Sequence, residues 1–268
     1  MSEEIKLPYT SKIIRAPALL DDTKIFLSHW DEGLTVDENI QKAIEENIFG
    51  RPARSYVKQF LGAFKERYIF GDERDRALRM LVRKGHDNTV INRILYYHTA
   101  LADSLLYDFV AGYLYEQQSR GTAHISAREA QQYIKKLSAD GKTTTPWKDT
   151  VCNRVAQGLL STLRDFSILA GKVKKKIAPV YLPIEAFIYV AFCIGREVKS
   201  GEKIVYHQDW KLFLIDAMTV ERLFLEAHQQ GYLSFQTAGK LVRIEFRYTS
   251  IEGIVDAIVS RTSYPVGR

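Results

Sequence analysis

Apolar positions along the chain recur mainly at three- and four-residue spacing, the period of a helix with one buried face. Asp21 and Asp22 open an amphipathic stretch that runs to Trp30, and residues 35–47 repeat it, with Asp37 and Glu38 in the first turn and Val36, Ile40 and Ile44 four residues apart. Gly50 stops that helix. Arg51-Pro52 opens the next, where proline loses no N–H that the helix needs. Over 53–69, Val57, Phe60, Leu61, Phe64 and Tyr68 make one buried stripe. Arg54, Lys58 and Lys65 fall together beside it, within about 40° on a helical wheel. After Gly71-Asp72, residues 73–84 form a second basic helix. Leu78, Leu81 and Val82 are its inner face, Arg76, Arg79 and Arg83 lie opposite, and Gly85 suits its C-terminal cap. Residues 88–116 are long, apolar and aromatic, which predicts one or two core helices.

A linker, Ser119-Arg-Gly-Thr, precedes a better-defined unit. Ser126-Ala-Arg-Glu129 is a capping box that opens a helix to about Leu137. A polar turn containing Gly141 follows. Thr145-Pro146 then sets an N-cap and a first-turn proline for a longer helix through Trp147, Val151, Val155, Leu159, Leu163 and Phe166, ended by Gly171. Lys172-Val-Lys-Lys-Lys-Ile-Ala-Pro-Val-Tyr-Leu-Pro183 suits an exposed strand. Helix, turn, longer helix and basic β-segment is the order of a winged helix-turn-helix; the other reading of the same pattern is a helical hairpin with an edge strand that binds nothing. The last third repeats the theme. A helical region from Trp210 to Gln230 stops at Gly231, Leu233–Phe235 and Val242–Phe246 alternate as a β-hairpin, and Ser250 caps a final helix. The expected fold is mainly α, with helix-turn-helix or winged-helix-like units and small β-wings. The expected domains are a helical N-terminal one over 1–118, a winged-helix-like unit over 119–183 and a helical unit with a β-hairpin over 184–268.

Composition narrows the class. Hydrophobic residues make up 46% of the 268 and charged residues 26%, which excludes chain-wide disorder. The longest apolar stretch, Ile184–Gly195, falls short of the roughly 20 residues that span a membrane. The start of the chain is acidic and shows no secretory pattern, and two cysteines, Cys152 and Cys193, suit a reducing compartment. The expectation is a cytoplasmic protein.

Charge is the more telling signal. The formal net charge is +6, and its distribution is uneven. Residues 1–50 hold 5 basic and 10 acidic side chains, 51–99 hold 11 and 5, and 171–182 hold four lysines and no acid. Two basic islands on a near-neutral body suggest polyanion binding. The candidate contacts are Arg51, Arg54, Ser55, Lys58, Lys65, Arg76, Arg79, Arg83 and Lys84 in the first island, and Lys172, Lys174, Lys175 and Lys176 in the second.

Motifs of catalysis are missing from the sequence: it has no phosphate loop, no dinucleotide fingerprint, no nucleophile elbow and no zinc-protease helix. The histidines at 29, 86, 98, 124, 207 and 228 are scattered, so no metal or cofactor site is predicted. The Asp-x-Lys of Asp209 and Lys211 is the one nuclease-like fragment weighed, and Asp22-Thr-Lys24 shows how readily such triplets arise by chance. Tyr96-Tyr97 and Tyr113/Tyr115 could stack on the bases of single strands, although leucine neighbours at helical spacing favour a core role.

Three N-terminal segments carry a family resemblance. They are Tyr9-Thr-Ser-Lys-Ile-Ile-Arg-Ala-Pro-Ala-Leu-Leu20, the acidic-start helix to Trp30, and Ile44-Glu-Glu-Asn-Ile-Phe-Gly-Arg-Pro-Ala-Arg-Ser55. Together they resemble the opening of the BrxA family of BREX phage-defence systems, over roughly the first 70 residues. The resemblance implies a cytoplasmic, mostly helical, non-enzymatic accessory protein that binds double-stranded DNA through helix-turn-helix elements, alongside other BREX defence proteins. It brings no catalytic residue. It leaves structured RNA as an alternative ligand, and the competing class is an assembly module of the defence complex whose basic islands meet acidic partners.

Overall fold

The computed structural model describes residues 8–50, 54–239 and 241–262, with the side chains of 54, 55, 261 and 262 outside that description. The chain packs into two compact units that each draw on separated segments: unit 1 takes residues 1–18 and 103–178, unit 2 takes 19–102 and 179–268. The three consecutive domains expected from the sequence are therefore not the packing units. The core helices of 88–116 are divided between the two at Ala102–Asp103.

Unit 1 contains α6 (Ser104–Asp108), a π-helical turn (Phe109–Leu114) and α7 (Tyr115–Ser119), which continue one another. Asp103 caps α6 by accepting from the Leu105 and Leu106 N–H groups. The short strand β1 (His124–Ile125) leads into α8 (Ala127–Ala139), whose capping box is the one predicted: Ser126 and Glu129 exchange hydrogen bonds. The next helix, α9 (Asp149–Asp165), starts later than the Thr145-Pro146 signal suggested. Residues 142–147 are committed elsewhere. Tyr9 forms a parallel bridge to Thr143, Thr144 N–H donates to the Tyr9 carbonyl, and Trp147 N–H donates to Ser138 Oγ. The helix also ends before Gly171, because Ser167 takes the left-handed conformation just after Phe166. A 3-10 turn, Lys12–Ile14, lies against α9 at Gly158, where a Cβ would stand 3.1 Å from the Ile13 carbonyl oxygen. The segment read as one exposed strand over 172–183 reduces to the two-residue β2 (Lys175–Lys176), paired antiparallel with β1 and bridged to Ala170.

Unit 2 holds α1 (Leu20–His29), α2 (Val36–Glu45), α3 (Arg54–Tyr68), α4 (Glu73–Arg83) and α5 (Asn88–Leu101), then α10 (Ile184–Glu197), α11 (Gly201–Val205), α12 (Ala217–Gln229), the hairpin β3 (Leu233–Ala238) and β4 (Leu241–Phe246), and α13 (Ile251–Thr262). An aromatic cluster of Phe26, Trp30, Phe49, Phe60 and Phe64 joins α1 to α3, with ring centroids 4.7–6.4 Å apart. The apolar 184–195 stretch is the buried helix α10, packed against α5, α12 and α13. The helical region expected from 210 to 230 is two elements. A 3-10 turn (Gln208–Phe213) ends where Leu214 adopts φ +53°, and Asp216 caps α12 through Thr219 N–H. The predicted β-hairpin and the Ser250 cap, which accepts from Gly253 N–H, are present.

Candidate nucleic-acid interface

The first basic island lies in unit 2, and five of its six described candidate cations have an acidic partner within that unit. Arg79 presents Nε and Nη2 to the two carboxylate oxygens of Glu32 at 2.8 Å each, and Arg83 reaches the same carboxylate at 3.2 Å. Lys65 meets Asp37 at 2.5 Å, Lys84 meets Asp256 at 2.7 Å, and Arg76 approaches Glu252 at 3.8 Å. The three neighbouring arginines hold the Glu32 carboxyl below the usual carboxylate range, through the Arg79 hydrogen bond first. Lys65 and Lys84, each with a carboxylate within about 3 Å, project dipolar fields that fade within a few ångströms, and Glu32 cancels one of the two charges on Arg79 and Arg83, so the island presents less free charge to a phosphate than its cations suggest. Lys58 is exposed and forms no ion pair among the described residues. Arg51 and the side chains of Arg54 and Ser55 lie outside the described residues.

The second island is built differently. Gly171 sits at φ +100°, and a Cβ there would stand 2.5 Å from the Lys174 carbonyl oxygen, so the turn after it closes only on glycine. Lys176 N–H donates to the Ala170 carbonyl at 2.7 Å and completes the turn. Lys175 is 6% exposed, and its ammonium donates to the Gly171 and Lys172 carbonyls at 2.7 and 2.8 Å. It is the clasp of the turn and is spent there, a correction to its expected role as a phosphate contact. Lys172, Lys174 and Lys176 are exposed, and Val173 stands 85% exposed among them.

The same unit carries residues that the sequence reading missed. The solvent face of α9 holds Thr150, Asn153, Arg154, Gln157 and Ser161 at three- and four-residue spacing, and Lys148 sits at its N-cap. Arg154 is exposed and unpaired among the described residues. Among the described residues no side chain caps the α9 N-terminus; Val151 and Cys152 N–H donate to the Lys148 carbonyl, which leaves the Asp149 and Thr150 N–H groups open to an acceptor. Counting charges rather than islands, and following the polar positions between the Val151–Leu163 apolar stripe, would have singled these residues out.

Summed by unit, the imbalance is complete. Unit 1 contains 15 basic and 9 acidic residues, unit 2 contains 23 of each, and the whole net charge of +6 thus belongs to unit 1.

Other sequence candidates resolve into packing. Tyr96 and Tyr97 are buried; the Tyr96 hydroxyl donates to the Leu212 carbonyl and the Tyr97 hydroxyl to Asp209 Oδ2, at 2.9 and 2.8 Å. Asp209 of the nuclease-like fragment is itself buried under that contact. Burial pushes the Cys193 thiol up to about 12 and raises that of Cys152. Among the described residues no helix is long and apolar enough to cross a membrane.

The fold defines a mainly α protein in which helical hairpins carry small antiparallel β-elements. The sequence profile of the BrxA family matches residues 7–192, and the chain belongs to that family, which makes it a BREX-associated defence protein. The match extends the N-terminal resemblance through unit 1 and into α10. Among solved structures, an uncharacterised protein from Magnetospirillum magneticum is similar in fold, with a TM-score of 0.58 and 15% identity over 78% of this chain and 100% of that one. No curated protein matches the chain.

Proposed function

We propose that this chain is a non-enzymatic, double-stranded DNA-binding accessory protein of phage defence, and that unit 1 makes the contact. The observation that carries this reading is the confinement of the net charge to the unit that holds a helical hairpin and a lysine-edged turn. In unit 1 the order α7, β1, α8, α9, Ala170, β2 follows that of a winged helix. In this reading α9 enters the major groove with Asn153, Arg154 and Gln157 toward base edges, and Lys172, Lys174 and Lys176 lie along phosphates with Lys148. The self-neutralised helices of unit 2 contribute little. The protein acts in the cytoplasm, where its DNA substrate lies.

The test is a mobility-shift titration on random duplex DNA at 50 and 200 mM salt. About six phosphate contacts would cost roughly 10³ in affinity over that range. A variant carrying K172E, K174E and K176E is expected to lose the shift, whereas K58E with R76E is expected to keep it. A shift unaffected by the first variant would remove the wing from the interface. Structured RNA is expected to compete less well than duplex DNA.

A second reading concerns unit 2. It is neutral, and Met218 and Leu225 stand exposed on α12, 79% and 48% respectively. That face suits assembly with other BREX proteins. Co-purification of those proteins with the chain, lost on changing Met218 and Leu225 to Asp, is the expected result.

A further inference from the structure

Between α7 and α8, within unit 1, lies a cleft of about 620 Å³, a size typical of small-molecule sites. Its wall is aromatic. The Tyr113 and Tyr133 rings stack with centroids 4.5 Å apart and planes 28° from parallel, and Phe109 continues the stack behind Tyr113 at 5.6 Å. Tyr113 stands in the π-helical turn, a distortion that costs helix regularity and turns the side chain toward α8. Tyr9 closes one end, with its hydroxyl donating to Asp108 Oδ2 at 2.6 Å. Burial pushes the Tyr133 phenol up to about 12, so it stays neutral and able to donate at physiological pH.

The lip is polar and unspent. Gln132 and Lys136 on α8 and Asp140 at its C-cap face the cleft at four-residue spacing, and Lys142 follows in the turn. Among the described residues these four side chains form no hydrogen bond or ion pair. The acids that could compete for a cation are engaged: Glu116 pairs with Arg120, and Glu129 is held in the α8 capping box. The free groups are thus two ammonium groups, one amide and one carboxylate around a stacked aromatic wall.

We propose that this cleft binds one unpaired nucleotide, with its base against the Tyr113–Tyr133 stack and its phosphate held by Lys136 and Lys142. Every base offers a π-face, so an aromatic wall accepts any of them. Gln132 and Asp140 supply a donor and acceptors for the base edge, and the two ammonium groups match a phosphate. The nucleotide could be free in solution or part of a strand, and the chemistry is the same. The inference does not depend on the proposed DNA face, since neither tyrosine belongs to it.

Calorimetric titration of the full chain with AMP, adenosine and the tetranucleotide (dA)4 tests the assignment. AMP is expected to bind saturably. Lys136→Ala with Lys142→Ala should weaken AMP about tenfold or more and leave adenosine unchanged. Tyr133→Ala should weaken both by about tenfold, and Tyr133→Phe, which keeps the stack, should hold them within about twofold. Binding of (dA)4 at least tenfold tighter than AMP identifies a strand as the source, and equal binding identifies the free nucleotide. No saturable binding of AMP or (dA)4 at millimolar concentration, or binding unchanged by the exposed double-lysine substitution, overturns the proposal.

Discussion

Arg79 and Glu32, 47 residues apart, form a two-pronged ion pair with both N···O distances at 2.8 Å, while the Arg79 guanidinium lies 5.1 Å from the centre of the Trp30 ring. The Arg79 side chain is only 11% exposed. Paired arginine geometry of this kind is stronger than an ordinary surface bridge, because two parallel hydrogen bonds fix the fork. Replacing Glu32 by Gln leaves a largely covered guanidinium without its counter-charge. The expected loss is about 1 kcal/mol at pH 7, at the upper end for a partly exposed pair. The Glu32 pKa is lowered in the folded chain. Its contribution is therefore present above the ordinary carboxylate range and lost as pH falls through the lowered value. Urea unfolding at pH 7 and pH 4 should show the gap between the native chain and E32Q narrowing at the lower pH. An equal gap at both would show that the carboxylate charge is not what stabilises this contact.

The same pair shows what a charge signal read from sequence leaves out. A run of arginines on one helix face is legible in a sequence, but its partners are not. Glu32, Asp37, Glu252 and Asp256 come from helices or loops up to 176 residues distant from the basic side chain they answer, as with Arg76 and Glu252. Local grammar read well for the same reason in reverse. The Ser126–Glu129 box, the Ser250 cap and the 233–246 hairpin each depend on residues within a few positions, and each is found. Where a distant strand intrudes, local signals fail: Tyr9 pairs with residues 142–144 and delays the start of α9 past Thr145-Pro146. Lys175 was readable as one lysine of four, but only the turn it closes shows that its ammonium points inward.

That inward lysine gives a prediction about the turn itself. Lys175→Met keeps most of the stem volume and removes the ammonium that two carbonyls accept from. The Gly171 and Lys172 carbonyls then lose a charge-assisted donor, worth about 1.5–3 kcal/mol locally. Hydrogen exchange at Lys176 N–H, which bonds to Ala170, should accelerate by tenfold or more, while exchange in α10 stays unchanged. Gly171→Ala should produce a similar local loosening by a separate route, through its positive φ and the 2.5 Å approach to the Lys174 carbonyl. If either variant exchanges like the native chain, the turn is not held as described.

The proposed division of labour between the units predicts different salt slopes. Each phosphate contact removed should flatten log K against log salt by about 0.9. K174A and K176A are therefore expected to lower the slope by about one each and to weaken binding alike on all sequences. Arg154→Ala, on the α9 face, should also change the preference among sequences if it reaches a base edge. Lys84→Ala should leave the slope unchanged, because Lys84 is already paired with Asp256. Fluorescence anisotropy with several duplexes at four salt concentrations separates these outcomes. A slope lowered by Lys84→Ala would return unit 2 to the interface.

His98 couples the stability of unit 2 to pH. Its ring is buried in α5, Nε2 lies 2.8 Å from the Tyr189 hydroxyl, and Nδ1 is buried with no hydrogen-bond partner among the described residues. Burial first, and then the nearby Arg74, push its pKa down to about 3. The unfolded chain takes up a proton on this imidazole below about pH 6.5, whereas the folded chain does not. The unfolded state therefore binds more protons between about pH 6.5 and 3, and stability falls with falling pH across that window. The slope from this one group approaches about 1.4 kcal/mol per pH unit at its steepest. His98→Gln, which cannot titrate, is expected to be less stable than the native chain at pH 7, because it disturbs the Tyr189 contact. It should nevertheless lose stability more slowly on acidification from pH 7 to pH 4.5. Urea midpoints measured at half-unit pH intervals decide the matter, and parallel curves for the two proteins would mean that His98 takes up its proton in the folded state.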